Sequence, residues 1–286
     1  MDEPLVTVVC LCYNQGKFVR KSVESVIAQN YSRVQLILVD DASTDGSAEV
    51  IEAIASENPE IECLLLERNV GSCRAFNRGL DLAKGEFIID LAADDLLMSD
   101  RIARGVDQLT AMGKEYAIQF SDANYIDEQG RLLWRHSEKF PHDTIPQGDI
   151  YREIIYRYFI CPTTMMMRTS IVKDLGGYDE SLHYEDFDLL IRCSRDYKLC
   201  YSSEVLVSKR VLLNSLSSMQ KVLLSPHSIS TYRICRKILA LNRTESEKEA
   251  LSKRIRYEIW NNLRLLNLIL VVRFLFLLRE NRATSY

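Results

Sequence analysis

A chain of 286 residues is long enough to bury a large core, and its 47% hydrophobic and 27% charged residues are those of an ordinary globular protein. A net charge of −4 excludes a general nucleic-acid binder, which would carry a basic face. The charge is uneven: seven Lys and Arg against two Glu give residues 251–286 a charge of +5 and leave −9 on the remainder, which marks a tail with its own partner.

Met1-Asp2-Glu3-Pro4 begins acidic and runs directly into an apolar, β-branched stretch, Leu5 to Cys12, so a cytoplasmic protein without a signal peptide is expected. Tyr13-Asn14-Gln15-Gly16 ends that strand, and Phe18, Val19, Val23, Val26 and Ile27 recur at helical spacing after it. Val34 to Val39 is a second strand, ending in Asp40-Asp41-Ala42-Ser43-Thr44-Asp45-Gly46, with Ser47 placed to cap the next helix. Ile61 to Leu66 is a third strand, followed by a helix carrying Phe76, Leu80 and Ala83. The fourth, Gly85 to Leu91, leads through Ala92-Ala93 into Asp94-Asp95. The bland alternative for that pair is a polar turn capping the helix after Leu97.

Strands alternating with helices predict a Rossmann-like, doubly wound, mostly parallel α/β sheet. Its carboxyl edge would then gather Tyr13, Asp40 and Asp94, since open α/β folds bind ligands there. Adjacent carboxylates at that edge repel each other, and call for a metal or a basic side chain to compensate. Eight scattered cysteines without a Cys-x-x-Cys pair read as free thiols in a reducing compartment, and His136, His142, His183 and His227 show no metal-ligand spacing.

Further along, Met165-Met166-Met167 reads as a buried strand, and Trp134 with the segment to Pro146 as a loop. Glu185-Asp186 opens a helical run, where a helix N-terminus stabilises carboxylates as anions; a cap without chemistry is the alternative. From Val222 the pattern is helical, with Ile229 to Leu241 as one segment and Leu251 to Leu270 as another. Leu265 to Leu278 is apolar but too short to span a bilayer, and its flanking arginines suit a helix at an anionic membrane surface or one packed on protein.

Val8 to Asn14, Val39 to Gly46, Asn69-Val70-Gly71 to Gly79, Ala92 to Asp95, Phe120 to Gly130, and Gly176-Gly177-Tyr178-Asp179-Glu180 with Glu185 to Leu189 resemble, in order, the blocks of family 2 glycosyltransferases of the GT-A fold. The resemblance covers roughly residues 5 to 210. It implies a GT-A catalytic domain over about 1–215, with a nucleotide-binding half near 1–100 and an acceptor half near 101–215, and a helical C-terminal extension over 216–286. It further implies transfer of a sugar, with inversion, from a nucleotide donor, chiefly a UDP-sugar, to a glycan or lipid-linked acceptor in cell-surface polysaccharide synthesis. Tyr13, Asn14, Asp40 and Asp41 would serve the nucleotide, Asp94 the Mn²⁺ or Mg²⁺ ion, Asp95 the donor sugar, Asp186 the base and Glu185 the acceptor side.

The chain departs from the family pattern in three places. Ala92 replaces the first carboxylate of the metal motif; Phe76 stands where Arg often precedes the Asn77 position, leaving Arg74 as a substitute; and Ser208-Lys209-Arg210-Val211 lacks a diphosphate-closing His, leaving Lys209 or Arg210 for the phosphates. A non-catalytic nucleotide-sugar-binding or membrane-associated protein is therefore the first alternative. A nucleotidyltransferase is the second, opposed by the lack of a Gly-rich basic loop after the first strand.

Overall fold

The computed structural model describes residues 3–140, 145–212 and 225–284. The expectations at His142 and Val222 lie outside them. Two compact units are distinguished: Met1–Gly148, Ile160–Tyr178 and Tyr197–Val211 form one, and Asp149–Phe159, Asp179–Asp196 and Leu212–Tyr286 the other.

The first unit opens with β1 (Val6–Cys12), α1 (Val19–Ile27), β2 (Val34–Asp40), α2 (Ser47–Glu57), β3 (Glu62–Leu65), α3 (Ser72–Leu82) and β4 (Phe87–Ala92). It continues through β5 (Leu96–Leu97), α4 (Arg101–Met112), β6 (Tyr116–Ile126) and β7 (Leu132–Arg135). In chain order α5 (Tyr151–Tyr156) belongs to the second unit, β8 (Met166–Arg168) and α6 (Thr169–Asp174) to the first, α7 (Glu185–Ser194) to the second and β9 (Lys198–Arg210) to the first. The sheet runs β3-β2-β1-β4-β8-β6-β9-β5, with β7 beside β6. β3, β2, β1 and β4 are mutually parallel, as the alternating pattern requires, and β8 then enters antiparallel to both β4 and β6.

Strand residues alternate between faces, and that period places the core. Val6, Val8, Cys10, Leu36, Leu38, Phe87 and Ile89 join one cluster with the apolar stripes of α1, α2 and α4. Val9 points to the opposite face, where α3 crosses so closely that a Cβ on Gly79 would collide with the Val9 side chain. Helices thus cover both faces, the doubly wound arrangement. Met165, Met166 and Met167 are fully enclosed, which makes them core.

Several local expectations are corrected. Ser47 does not cap α2: Gly46, at φ 87°, holds the N-cap position, and the Ser47 hydroxyl accepts from the Gln15 N–H at 3.0 Å and donates to Asp45. Asp94-Asp95 does not cap α4, whose N-cap is Asp100. Trp134 lies in β7, stacked on Tyr125 at 5.2 Å, and not in a loop.

The second unit also contains α8 (Pro226–Leu241), α9 (Glu245–Arg264) and α10 (Leu268–Ala283). The periodic run from Leu251 to Leu270 is broken between α9 and α10. The Asn267 N–H donates to the Asn262 carbonyl (2.8 Å), the Leu266 N–H to Leu263 (3.0 Å), and Leu266 adopts φ 56°, which together make a Schellman stop with leucine in the position glycine usually takes. Thr244 and Glu247 form a capping box at the start of α9.

Gly79→Val should destabilise the chain by about 2 kcal/mol through overpacking, read as a lower urea midpoint, and Val9→Ala in the same chain should recover part of the loss. Unchanged midpoints would refute the close α3–β1 approach.

Candidate active site

In the first unit, β1 pairs β2 with Cys12 opposite Asp40, and pairs β4 with Leu11 opposite Ala92, so three strands end level with one another. Tyr13 follows at the rim with 48% of its surface exposed, which leaves its ring open to a planar ligand. Asn14 takes φ 54° and braces the neighbouring loop: its N–H donates to Ser43 Oγ (2.8 Å) and its Oδ1 accepts from the Thr44 N–H (2.7 Å). Asp40 is buried and accepts from the Ser43 N–H (2.9 Å) and hydroxyl (2.5 Å). Asp41, also buried, grips the next loop, with Oδ1 accepting from the Val70 N–H (2.7 Å) and Oδ2 from the Gly71 N–H (2.8 Å). Between these carboxylates and the Ser43 turn, Ala42 is held at φ 57°, a strained conformation of the kind that clusters at functional sites. Each carboxylate keeps lone pairs beyond these bonds.

Beyond β4, Asp95 is enclosed. Its Oδ1 accepts from the Arg210 N–H and its Oδ2 from the Thr163 hydroxyl, both at 2.7 Å. The Arg210 guanidinium donates to the carbonyls of Asp94 (2.9 Å), Asp127 (2.7 Å) and Glu128 (3.0 Å) and lies over Phe18 at 4.7 Å. Arg210, one of the two cations expected to meet phosphates, is therefore a buried structural tie. Lys209, half-buried beside it, lowers both Asp94 and Asp95 by its charge, ahead of Arg210, which acts in the same direction.

Asp94 is half-buried. Burial first, and the Asp95 charge second, push its carboxyl up to about 7 against the opposing pull of Lys209 and Arg210. Burial likewise raises Asp95. A carboxylate so placed has too little positive charge around it. Among the described residues no three His, Cys, Asp or Glu are grouped to hold an ion, and Ala92 is exposed at the strand end. A hard divalent cation at this position would take Asp94 as its one protein carboxylate and fill its remaining positions with oxygens of water and ligand.

Arg74 is exposed in the first turn of α3. One turn on, the Asn77 amide pairs with the backbone of Tyr178, donating to its carbonyl and accepting its N–H at 2.9 Å each, while the Tyr178 hydroxyl donates to Asp90 Oδ2 at 2.9 Å. Gly177, at φ 68°, permits this approach, since a Cβ there would strike Asn77. Thr163, Asn77 and Ser43 are the site-shaping residues that sequence reasoning missed. Asn77 and Gly177-Tyr178 fall in two of the resemblance blocks, but no spacing indicates that the blocks meet.

The second unit holds Glu185 and Asp186 in the first turn of α7, both half-buried, with the Tyr158 hydroxyl donating to Asp186 Oδ2. Tyr158, Tyr184 and Phe187 pack ring to ring at 5.0–5.7 Å, and His227 lies against Tyr184 at 4.1 Å. Asp188 is fully buried between Lys237 Nζ (2.6 Å) and Arg192 Nε (2.7 Å), a structural ion cluster that Asp179 extends by accepting from Lys237 at 2.6 Å. His183 is exposed and its N–H donates to Ser230 Oγ at 2.8 Å.

Burial, helped by the Arg254 charge, lowers His227 to about 4. The fold therefore takes up fewer protons than the unfolded chain below pH 6.5, so this residue's contribution to stability is lost as pH falls from 6.5 through about 4. His227→Gln should narrow the loss of stability between pH 7 and pH 4.5 by on the order of 2 kcal/mol in urea titrations. Parallel curves for the two proteins would contradict the assignment.

Residues 7–176 match the family model described as Glycosyl transferase family 2. The chain is 29% identical over 215 residues to an uncharacterized glycosyltransferase of Methanocaldococcus jannaschii, an alignment covering 74% of this chain and 72% of that one. It is 28% identical over 167 residues to the putative teichuronic acid biosynthesis glycosyltransferase TuaG of Bacillus subtilis, covering 58% and 63% respectively. Among solved structures, S. aureus TarS 1-349 in complex with UDP-GlcNAc matches with a TM-score of 0.69 at 19% identity, over 88% of this chain and 71% of that one. The mannosyltransferase PcManGT from Pyrobaculum calidifontis, in complex with GDP-Man and Mn²⁺, matches with a TM-score of 0.67 at 16% identity, over 100% and 77%. These neighbours make the fold GT-A.

Proposed function

The chain belongs to glycosyl transferase family 2, and on that premise we propose that it transfers a sugar from a nucleoside-diphosphate donor to an acceptor hydroxyl with inversion at the anomeric carbon. The observation that carries this reading is Asp94, an undercompensated carboxylate at the edge where three strands end level. Breaking the bond between sugar and diphosphate leaves negative charge on the phosphate, and an Mn²⁺ or Mg²⁺ ion held by Asp94 would supply the opposing charge. The neighbour solved with GDP-Man and Mn²⁺ supports a cation of this kind.

The chain's own residues divide the remaining work. Tyr13 offers a ring face to the base, and the loop braced by Asn14, Asp40 and Asp41 presents the remaining carboxylate lone pairs to base and ribose. Lys209 faces the phosphates, and Arg74 is assigned to the same donor side. Asp95 acts near the donor sugar by fixing the turn that carries Asp94, since both of its oxygens are held within the protein. Asp186 takes the proton from the attacking hydroxyl, and its bond from Tyr158 orients the carboxylate for that transfer. Glu185 stands beside it for acceptor binding.

We assign donor binding to about residues 1–100 and acceptor binding to about 101–215, with 216–286 as a helical extension. The donor is read as a UDP-sugar, supported by the neighbour bound to UDP-GlcNAc. The acceptor is read as a glycan or lipid-linked hydroxyl of a cell-surface polysaccharide, supported by the relative named for teichuronic acid biosynthesis. The reaction would take place on the cytoplasmic side of the membrane.

The test is nucleoside diphosphate release from a panel of UDP- and GDP-sugars, with water as the slow acceptor, by the wild type and Asp186→Asn. Release should fall by about 10²- to 10⁴-fold in the variant with donor affinity unchanged. Equal release would remove Asp186 from the reaction. No release from any donor by the wild type would favour a non-catalytic nucleotide-sugar-binding protein.

A further inference from the structure

Among the described residues no helix is long and apolar enough to cross a membrane. At 16 residues α10 is about 24 Å long, short of the ~30 Å hydrocarbon layer. It is nonetheless apolar on both sides. Leu270, Val271, Phe274, Leu277 and Leu278 are buried within the helical unit, where Phe274 meets Tyr232 of α8 edge-on at 5.3 Å. Leu268, Ile269, Val272, Leu275 and Phe276 form a second stripe on the other side, with Leu268 62% and Phe276 68% exposed. Their offsets of one, four, seven and eight residues from Leu268 are those of a single helix face. A contiguous patch of this kind on a folded chain marks a binding surface.

We propose that this face of the helical unit lies on an anionic lipid bilayer, with the exposed stripe of α10 sunk to the boundary between headgroups and acyl chains. Charge selects that occupant. Exposed Lys253, Arg256, Arg264, Arg273, Arg279 and Arg282 accompany the patch on α9 and α10 and outnumber the exposed acids Glu245, Glu249 and Glu280, of which Glu245 pairs with Lys248 at 3.2 Å and Glu280 with Arg236 at 3.5 Å. Lipid phosphates match such a rim. A second copy would not, because a two-fold contact sets the same patch against itself and brings the cations together.

Aromatic residues point the same way. Tyr257 and Trp260 are exposed on α9, with Arg264 over the Trp260 ring at 5.0 Å, a composition suited to the headgroup layer. Leu266 adds a further argument. It is 77% exposed in a left-handed position where glycine would be less strained, so leucine there serves neither backbone nor core in water, while in lipid its side chain is buried. The proposal is independent of the transfer reaction, although a lipid-linked acceptor would be presented at the same surface.

The experiment is flotation of the full chain with vesicles of phosphatidylcholine alone and with phosphatidylglycerol added, at low and high salt, with light scattering of the free protein. Partitioning should be at least about tenfold stronger on the anionic vesicles and should weaken with salt. Arg279→Gln should weaken it about fivefold, and Leu275→Gln with Phe276→Gln should abolish it, with circular dichroism confirming that both variants fold. Equal binding to neutral vesicles, no binding to either, or a dimer that the Leu275 and Phe276 substitutions dissociate would each overturn the proposal, the last by showing a self-interface.

Discussion

Two adjacent carboxylates at the end of an apolar strand are the constraint on which the first unit depends. Burying Asp94 and Asp95 side by side opposes ionisation of both, by desolvation and by mutual repulsion. Elements distant in sequence are brought in to offset this. β9 delivers the Arg210 N–H and the short turn after Cys161 delivers the Thr163 hydroxyl, so Asp95 is satisfied entirely by protein. The Arg210 side chain then ties the Asp94 carbonyl to those of Asp127 and Glu128. What remains is one carboxylate, Asp94, whose environment stays deficient in positive charge. The proposed role of Asp94 toward a divalent cation rests on that residual deficiency.

The loop after β2 shows the same economy in backbone form. Asp40 and Asp41 shape their surroundings through N–H and hydroxyl donors, holding Ala42 at a positive φ and linking the start of α3 to the end of β2. A ligand meeting this edge finds preset groups and so causes little reordering. In the second unit Asp186 and Asp188, two residues apart and so on opposite sides of α7, are distinguished by their partners. Asp188 is closed within a cation cluster, while Asp186 has a tyrosine hydroxyl and a half-buried position.

The parallel strands and their helices were legible because their apolar periods, 2 and 3.6, are written locally, and the strand ends at Tyr13, Asp40 and Asp94 followed from topology. What is set by tertiary contact was not legible. Ser47 has the composition of a cap but is recruited by Gln15 and Asp45. Asp95 looked like a ligand-facing twin of Asp94 until Arg210 and Thr163 enclosed it. The stop at Leu266 lacks the glycine that would announce it, and the asparagine that follows closes the turn. Asn77 and Tyr178 lie about a hundred positions apart, and only folding makes their paired hydrogen bonds visible.

We propose that Asp94, alone among the carboxylates of the described residues, shares a divalent cation with the diphosphate of a bound nucleotide. Calorimetric titration with UDP, GDP, CDP and dTDP, each with and without Mn²⁺, on wild type and Asp94→Asn tests it most directly. The account predicts one nucleotide whose affinity rises at least about tenfold with Mn²⁺ in the wild type, with that gain absent in the variant and metal-free binding preserved. A nucleotide that binds the wild type equally well with and without Mn²⁺, or a Mn²⁺ gain that survives in Asp94→Asn, would contradict it.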